Sequence, residues 1–227
     1  MSESALLGGT SAASGVAGPA WPLSDDMEKE AILDVLDSGS WYNGDRVKEF
    51  EQSFAAMQDA KYGVACTGGT VALEAIVRAA GVGVGDEVIT SPYTFIGTCT
   101  AILKSGAAIR FVDIDPDTNN LDISQIEDAI TSQTRAIMPV HYGGLACDID
   151  RLIQICEKHN LVMLEDACHS WGAKYKGKGL GAWGVAGAFS FQQSKNMTCG
   201  DGGIALTDDE AVADAIGCAT NQGRSRY

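Results

Sequence analysis

Lys195 lies in the stretch Phe189-Ser190-Phe191-Gln192-Gln193-Ser194-Lys195-Asn196, just ahead of Gly200-Asp201-Gly202-Gly203. Upstream, the apolar run Leu161-Val162-Met163-Leu164 ends in Glu165-Asp166. A neutral lysine amine attacks carbonyl carbons and forms a Schiff base. A carboxylate at the end of a buried strand needs a partner, because an unpaired buried charge is costly. Pyridoxal phosphate (PLP) requires both groups: a lysine for its aldehyde and an acid that keeps its ring nitrogen protonated. Most lysines are solvated surface charges, and a buried acid can be satisfied by a backbone amide or an arginine. The reading therefore rests on a larger set of residues.

Cys66-Thr67-Gly68-Gly69-Thr70-Val71-Ala72-Leu73 joins an expected strand to an expected helix. Glycines there let the backbone approach an anion, and the helix start offers free amides and a favourable dipole to a phosphate. The same residues also suit a plain tight turn. Phe95, after Ser91-Pro92-Tyr93-Thr94, could stack on a flat ring or belong to the core. Ser190 could bond a phosphate or cap a backbone group. His169 and His141 each follow an expected strand end and suit ligand contact or a structural role. Gly81-Val82-Gly83-Val84-Gly85 superficially suggests a dinucleotide loop. It follows a helix and precedes a strand, the reverse of that motif, which disfavours a nicotinamide-dependent enzyme.

The elements that must position these residues alternate. Ser24 or Asp25 caps a helix running to about Leu36, stopped by Gly39, and a second helix spans Asp45 to Met57. Short β-prone runs follow at Tyr62–Cys66, Glu87–Thr90, Ala108–Val112, Ala136–Val140 and Val162–Glu165. Helical runs at Thr70–Ala80, Phe95–Ser105, Ser124–Ile130 and Asp148–His159 separate them. Strands near Ala188–Phe191 and Gly203–Thr207 and a helix over Asp209–Cys218 complete the pattern. Alternation of this kind predicts parallel βαβ units, with strands apolar on both faces and helices on each side.

The chain has 227 residues and a net charge of −14. Such an acidic surface repels nucleic acid and anionic lipid, which discounts both as partners, and no apolar run is long enough to span a bilayer. The seven cysteines are odd in number and lack CxxC spacing. They read as reduced, buried thiols of a cytoplasmic protein, with neither a disulfide framework nor a metal site. Residues 1–20, rich in Ser, Gly and Ala, lack the features of a signal peptide and read as a flexible tail. Residues 21–227 read as one domain.

With these stretches together, the chain resembles the DegT/StrS family of fold-type I PLP enzymes, the aminotransferases of nucleotide sugars and aminocyclitols. The matches run from about Trp41 to Tyr227. They include Gly69-Thr70-Val71-Ala72-Leu73, Gly85-Asp86-Glu87-Val88-Ile89, Thr94-Phe95, Pro139-Val140-His141, Glu165-Asp166-Ala167, Phe189-Ser190-Phe191 and Lys195-Asn196. The resemblance implies a three-layer α/β/α sandwich with a mostly parallel, mixed sheet. It implies that Lys195 forms the Schiff base and carries protons, and that Asp166 pairs with the pyridine nitrogen. His169 takes the place of a Gln or His that touches the cofactor's phenolic oxygen. Phe95 stacks on the ring, and Gly69, Thr70 and Ser190 hold the phosphate. Gly68 departs from a common serine and Asp201 from a usual glutamate.

The activity so implied moves an amino group from glutamate or glutamine to a keto sugar nucleotide or keto cyclitol, in a homodimer with sites at its interface. Lysine at position 195, where the family's dehydratases have histidine, implies the aminotransferase branch. Family members continue into a smaller C-terminal domain, so the chain is expected to be cut short after the large domain. That expectation leaves an alternative: a catalytically incomplete PLP-binding remnant with a structural or regulatory role.

Overall fold

The computed structural model describes residues 3–225 apart from Ala17 and Pro19. Those two residues, with Met1 and Ser2 of the expected tail and Arg226 and Tyr227 of the expected domain, lie outside the described residues. The first helix, α1 (Asp26–Ser38), begins with a reciprocal cap. The Asp25 carboxylate accepts the Met27 amide at 2.7 Å, and Glu28 accepts the Asp25 amide at 2.7 Å. Gly39, at φ 66°, ends it in the left-handed region that favours glycine. α1 buries none of its residues.

After α2 (Asp45–Met57), the strands and helices are β1 (Tyr62–Cys66), α3 (Gly69–Ala79), β2 (Glu87–Thr90), α4 (Ile96–Ser105) and β3 (Ala108–Phe111). There follow α5 (Ile126–Ala129), β4 (Thr134–Met138), α6 (Ile149–His159), β5 (Val162–Asp166), a small hairpin of β6 (Lys174–Tyr175) and β7 (Lys178–Gly179), β8 (Ala186–Ser190), β9 (Gly203–Thr207) and α7 (Glu210–Thr220). Among the described residues seven strands form one sheet in the order β1-β9-β8-β5-β4-β2-β3. Only β9 runs against its neighbours; the other pairings are parallel. The sheet is therefore mostly parallel and mixed.

Side chains alternate across it. Val88, Ala136, Met138, Leu164, Ala188 and Ala205 pack under α3, α4 and α7. On the opposite face, Ile89, Ile137 and Met163 meet α6, and Phe189, Ile204 and Leu206 meet Phe54 of α2. Each large aliphatic side chain sealed this way contributes about 1.5–3 kcal/mol. Those contributions hold the strand ends in fixed register.

Three expectations are corrected, and one element is new. The run Ser124–Ile130 is not one helix: a short 3-10 turn, Ile123–Gln125, precedes the four residues of α5. β3 is not apolar on both faces; at the sheet edge it leaves Ala108 and Phe111 exposed. The β6–β7 hairpin was not anticipated, because two-residue strands around Lys176-Gly177 carry no periodic signal. The cysteines are all free, but only Cys99, Cys147 and Cys156 are buried; Cys66, Cys168 and Cys218 are half-buried and Cys199 is exposed.

Candidate active site

The parallel strands β1, β2, β5 and β8 end on one edge of the sheet, and the chain segments after them converge there. Open α/β sheets bind ligands at that edge. A cavity of about 600 Å³ opens at it, lined by Gly69, Thr70, Phe95, Asp166, His169, Ser190 and Lys195 among others. These seven residues expected in the site thus line one space, although 126 positions separate the first from the last; His141, the other histidine considered, does not line it. A larger concavity of about 710 Å³, beside Tyr42, Lys48, Lys61 and Asn221, carries none of them.

β1 delivers the glycine turn. Gly68 is extended (φ 179°) and α3 starts at Gly69. A Cβ on Gly69 would lie 2.5 Å from Ser190 Cβ and 3.0 Å from Ser190 Oγ, so only glycine lets the start of α3 approach the end of β8. Ser190 is 7% exposed, and its Oγ accepts the Gln192 amide at 3.4 Å. Its own proton remains for an anion at the unpaired first-turn amides of α3. A Cβ at Gly68 would meet Asp201 Oδ1 at 3.4 Å, an ordinary contact, so close packing does not explain the glycine in place of a serine.

β5 delivers Asp166, which is 4% exposed. Its Oδ2 accepts the Thr98 hydroxyl at 2.6 Å and its Oδ1 accepts the Cys168 amide at 3.2 Å. Among the described residues no cationic group comes within ion-pair distance of it. A buried carboxylate bonded only by neutral donors suits a protonated ring nitrogen. Neighbouring Glu165 faces the opposite way and is fully buried. Its oxygens accept the amides of Gly181, Trp183 and Gly184 and the Nε2 of His141. Burial opposes its charge, but the His141 contact and these amides outweigh that and hold its pKa below the ordinary carboxyl value. His141 is therefore a structural residue: Nδ1 accepts the Cys147 amide at 3.2 Å, leaving the proton on Nε2 to donate to Glu165.

His169 lines the cavity and accepts the Gly143 amide on Nδ1 at 3.3 Å, so the neutral ring carries its proton on Nε2. Burial lowers its pKa, the charge of Lys195 lowers it further, and Asp166 opposes both. An uncharged N–H donor suits a ring oxygen. Phe95, at the start of α4, is 72% exposed at the rim, an apolar cost that a stacked ring would remove.

Lys195 sits in the connection between the antiparallel strands β8 and β9. The amides of Phe191 and Cys199 close this loop on the carbonyls of Gly202 and Phe191. Lys195 Nζ lies 6.0 Å from the centre of the Trp171 ring. The nearby thiols are not competing nucleophiles. Burial pushes Cys66 up to about 11 and raises Cys168 well above the ordinary thiol value, leaving both protonated.

The sequence reading missed Thr94 and Thr98, whose hydroxyls lie 2.7 Å apart. Their spacing of four residues across the start of a helix was the available signal. It also missed Tyr142, whose hydroxyl donates to that of Tyr93 at 3.1 Å beside His169, and Trp21, whose indole donates to the Gln193 carbonyl at 2.7 Å and braces the Lys195 loop. No local pattern announces contacts so distant in sequence.

The comparison with protein families matches residues 22–227 to the DegT/DnrJ/EryC1/StrS aminotransferase family. The chain belongs to that family. It is 42% identical over 205 residues to spore coat polysaccharide biosynthesis protein SpsC of Bacillus subtilis, covering 90% of this chain and 53% of that protein. Among solved structures, an aminotransferase from Psychrobacter cryohalolentis superposes with a TM-score of 0.89 at 36% identity, over 92% of this chain and 54% of that one. NtdA of Bacillus subtilis, solved with bound cofactor PMP, superposes with a TM-score of 0.80 at 32% identity, over 86% and 45%. Further relatives of the family are named as sugar and aminocyclitol enzymes. The chain spans about half the length of the curated relatives it matches. No helix among the described residues is long and apolar enough to cross a membrane.

Proposed function

We propose that this protein is a PLP-dependent aminotransferase that transfers an amino group from glutamate or glutamine to a keto sugar nucleotide or a keto cyclitol. The observation that carries the reading is the buried Asp166 carboxylate, bonded only by neutral donors and lining the same cavity as Lys195 and the α3 N-terminus. Family membership and the PMP bound in NtdA support the choice of cofactor. The relatives' names support the class of acceptor.

When bound, PLP supplies an electron sink for the carbanion left when an amino donor loses its α-proton. The chain's own residues do the rest. Asp166 keeps the ring nitrogen positive, with Thr98 and the Cys168 amide orienting its two oxygens. Gly69, Thr70 and Ser190 hold the phosphate against the start of α3. The Nε2 proton of His169 would be available to the ring oxygen, and Phe95 would cover the ring. Lys195 Nζ would hold the cofactor at rest and, as a free amine, would carry the proton that the exchange moves. The reading extends to a homodimer in the cytoplasm, where seven free thiols stay reduced.

Borohydride reduction of PLP-saturated protein, followed by peptide mapping, tests the assignment. The label is expected on Lys195. Label on another lysine, or none, overturns it. A second reading is a cofactor-binding unit that completes no cycle alone. Uptake of PLP with no spectral response to glutamate or glutamine would select that reading.

A further inference from the structure

Asp166 is the only carboxylate named in the proposed site, and the structure ties it to one hydroxyl of the cavity wall directly and to a second through the first. Thr98, in the first turn of α4, is fully buried, and its Oγ1 donates to Asp166 Oδ2 at 2.6 Å. That distance is at the short, charge-assisted end of the range for O–H···O bonds. With its proton directed to Asp166, Thr98 can only accept from Thr94, whose Oγ1 lies 2.7 Å away. Thr94 lines the cavity, partly buried. The three groups form a one-way chain: Thr94 donates to Thr98, and Thr98 donates to Asp166. The oxygen of Thr94 is left as an acceptor at the cavity surface.

We infer that Thr98, backed by Thr94, is the positioning residue that aims Asp166 at the cofactor's ring nitrogen and sets the strength of that contact; this rests on the functional reading above. Oδ1 is held by the backbone of its own segment, through the Cys168 amide. Oδ2 is held across the sheet edge, from α4 to β5. The carboxylate plane is thus fixed by two elements before any ligand arrives, and the ring nitrogen meets a preset acceptor. The same bond couples the site to Phe95, because Thr94, Phe95 and Thr98 share one turn. The face that would cover the ring and the acid that would grip its nitrogen therefore move together. The other groups near Asp166 are the Cys168 thiol, the neutral His169 ring and the Lys195 ammonium.

The test uses purified protein carrying Thr98→Val, Thr98→Ser and Thr94→Val, with Thr90→Val as a control. Thr90 is a buried threonine whose hydroxyl bonds the Met138 carbonyl at 2.8 Å, away from Asp166. PLP affinity is measured by fluorescence, and the absorbance of the bound cofactor is followed against pH. Thr98→Val is expected to bind PLP roughly tenfold more weakly, the size of one lost bond to a charged group, and to displace the pH midpoint of the bound chromophore. Thr98→Ser should restore both, Thr94→Val should show a smaller displacement, and Thr90→Val should match wild type. A Thr98→Val protein with wild-type affinity and midpoint overturns the inference, as does a serine variant that restores neither. A separate readout needs no cofactor. The 13C shift of the Asp166 carboxyl, assigned with Asp166→Asn, should move in Thr98→Val and return in Thr98→Ser. If wild-type protein takes up no PLP, the functional reading fails, and the carboxyl shift alone then decides whether Thr98 sets the carboxylate.

Discussion

His141 Nε2 and Glu165 Oε2 lie 2.9 Å apart with both side chains fully buried, on the sheet face opposite the proposed site. Glu165 turns its carboxylate away from the cavity while its neighbour Asp166 turns toward it, as successive strand residues must. The pair ties β5 to the segment after β4, and the remaining Glu165 bonds fix the turn at Gly181–Gly184. Glu165→Gln replaces an acceptor of four bonds by an amide that must present two of its own protons to those donors. It should destabilise the protein by about 1–3 kcal/mol, the cost of leaving buried hydrogen-bonding groups unsatisfied. Urea denaturation at neutral pH checks this. A loss under 1 kcal/mol would show that the pair is not a structural lock.

The same residue predicts an acid limb. The folded pKa of Glu165 is depressed, so its contribution to stability is present above the unfolded carboxyl value and is lost as pH falls through the folded one. The midpoint of urea unfolding should decline on acidification less steeply in Glu165→Gln than in wild type. Parallel declines would assign the acid sensitivity elsewhere.

Gly69→Ala should cost about 1–3 kcal/mol and weaken PLP binding, because its Cβ would meet Ser190 Cβ at 2.5 Å and Ser190 Cα at 3.1 Å. The start of α3 and the end of β8 must part where a phosphate would sit. Gly68→Ala, with its nearest contact at 3.4 Å, should be far milder. Equal effects at the two positions would refute the close-approach argument.

His169 should titrate below the ordinary histidine value of 6.5, because burial and then the Lys195 charge disfavour its cation. A depressed folded pKa means that the neutral ring favours the folded state above the unfolded value. This preference is lost as pH falls through the folded midpoint. NMR of the ring protons should place the midpoint under 6.5 in wild type and raise it in Lys195→Met, still short of 6.5 because burial persists. A midpoint that ignores the lysine would separate the two residues.

On the proposed function, Asp166→Asn should retain the fold, since Thr98 can still donate to an amide oxygen, and should bind PLP. The rate at which glutamate or glutamine converts the bound cofactor should fall roughly 10²–10³-fold, the scale of removing one preorganised electrostatic partner. Stopped-flow absorbance would measure it. A near-wild-type rate would make Asp166 a structural acid.

The sequence by itself determined the βα alternation, a cap for α1 at Ser24 or Asp25, and the limits of β1, β2 and β9. Each is written in residues a few places apart: a short polar residue ahead of a helical run, an apolar run closed by glycine. Lys195, Asp166 and the glycine turn were also legible, because strand ends and helix starts carry local signatures that the topology must bring to one edge. Tertiary structure alone decided the rest. Whether Glu165 or Asp166 faces the cavity depends on which helix covers which side of β5, and no run of residues states it. The bond from Thr98 to Asp166 spans 68 positions, and the close approach of Gly69 to Ser190 depends on β9 pairing between β1 and β8. Such contacts arise from the packing of whole layers, whose energy is spread over many buried side chains, so they leave no mark in any short stretch of sequence.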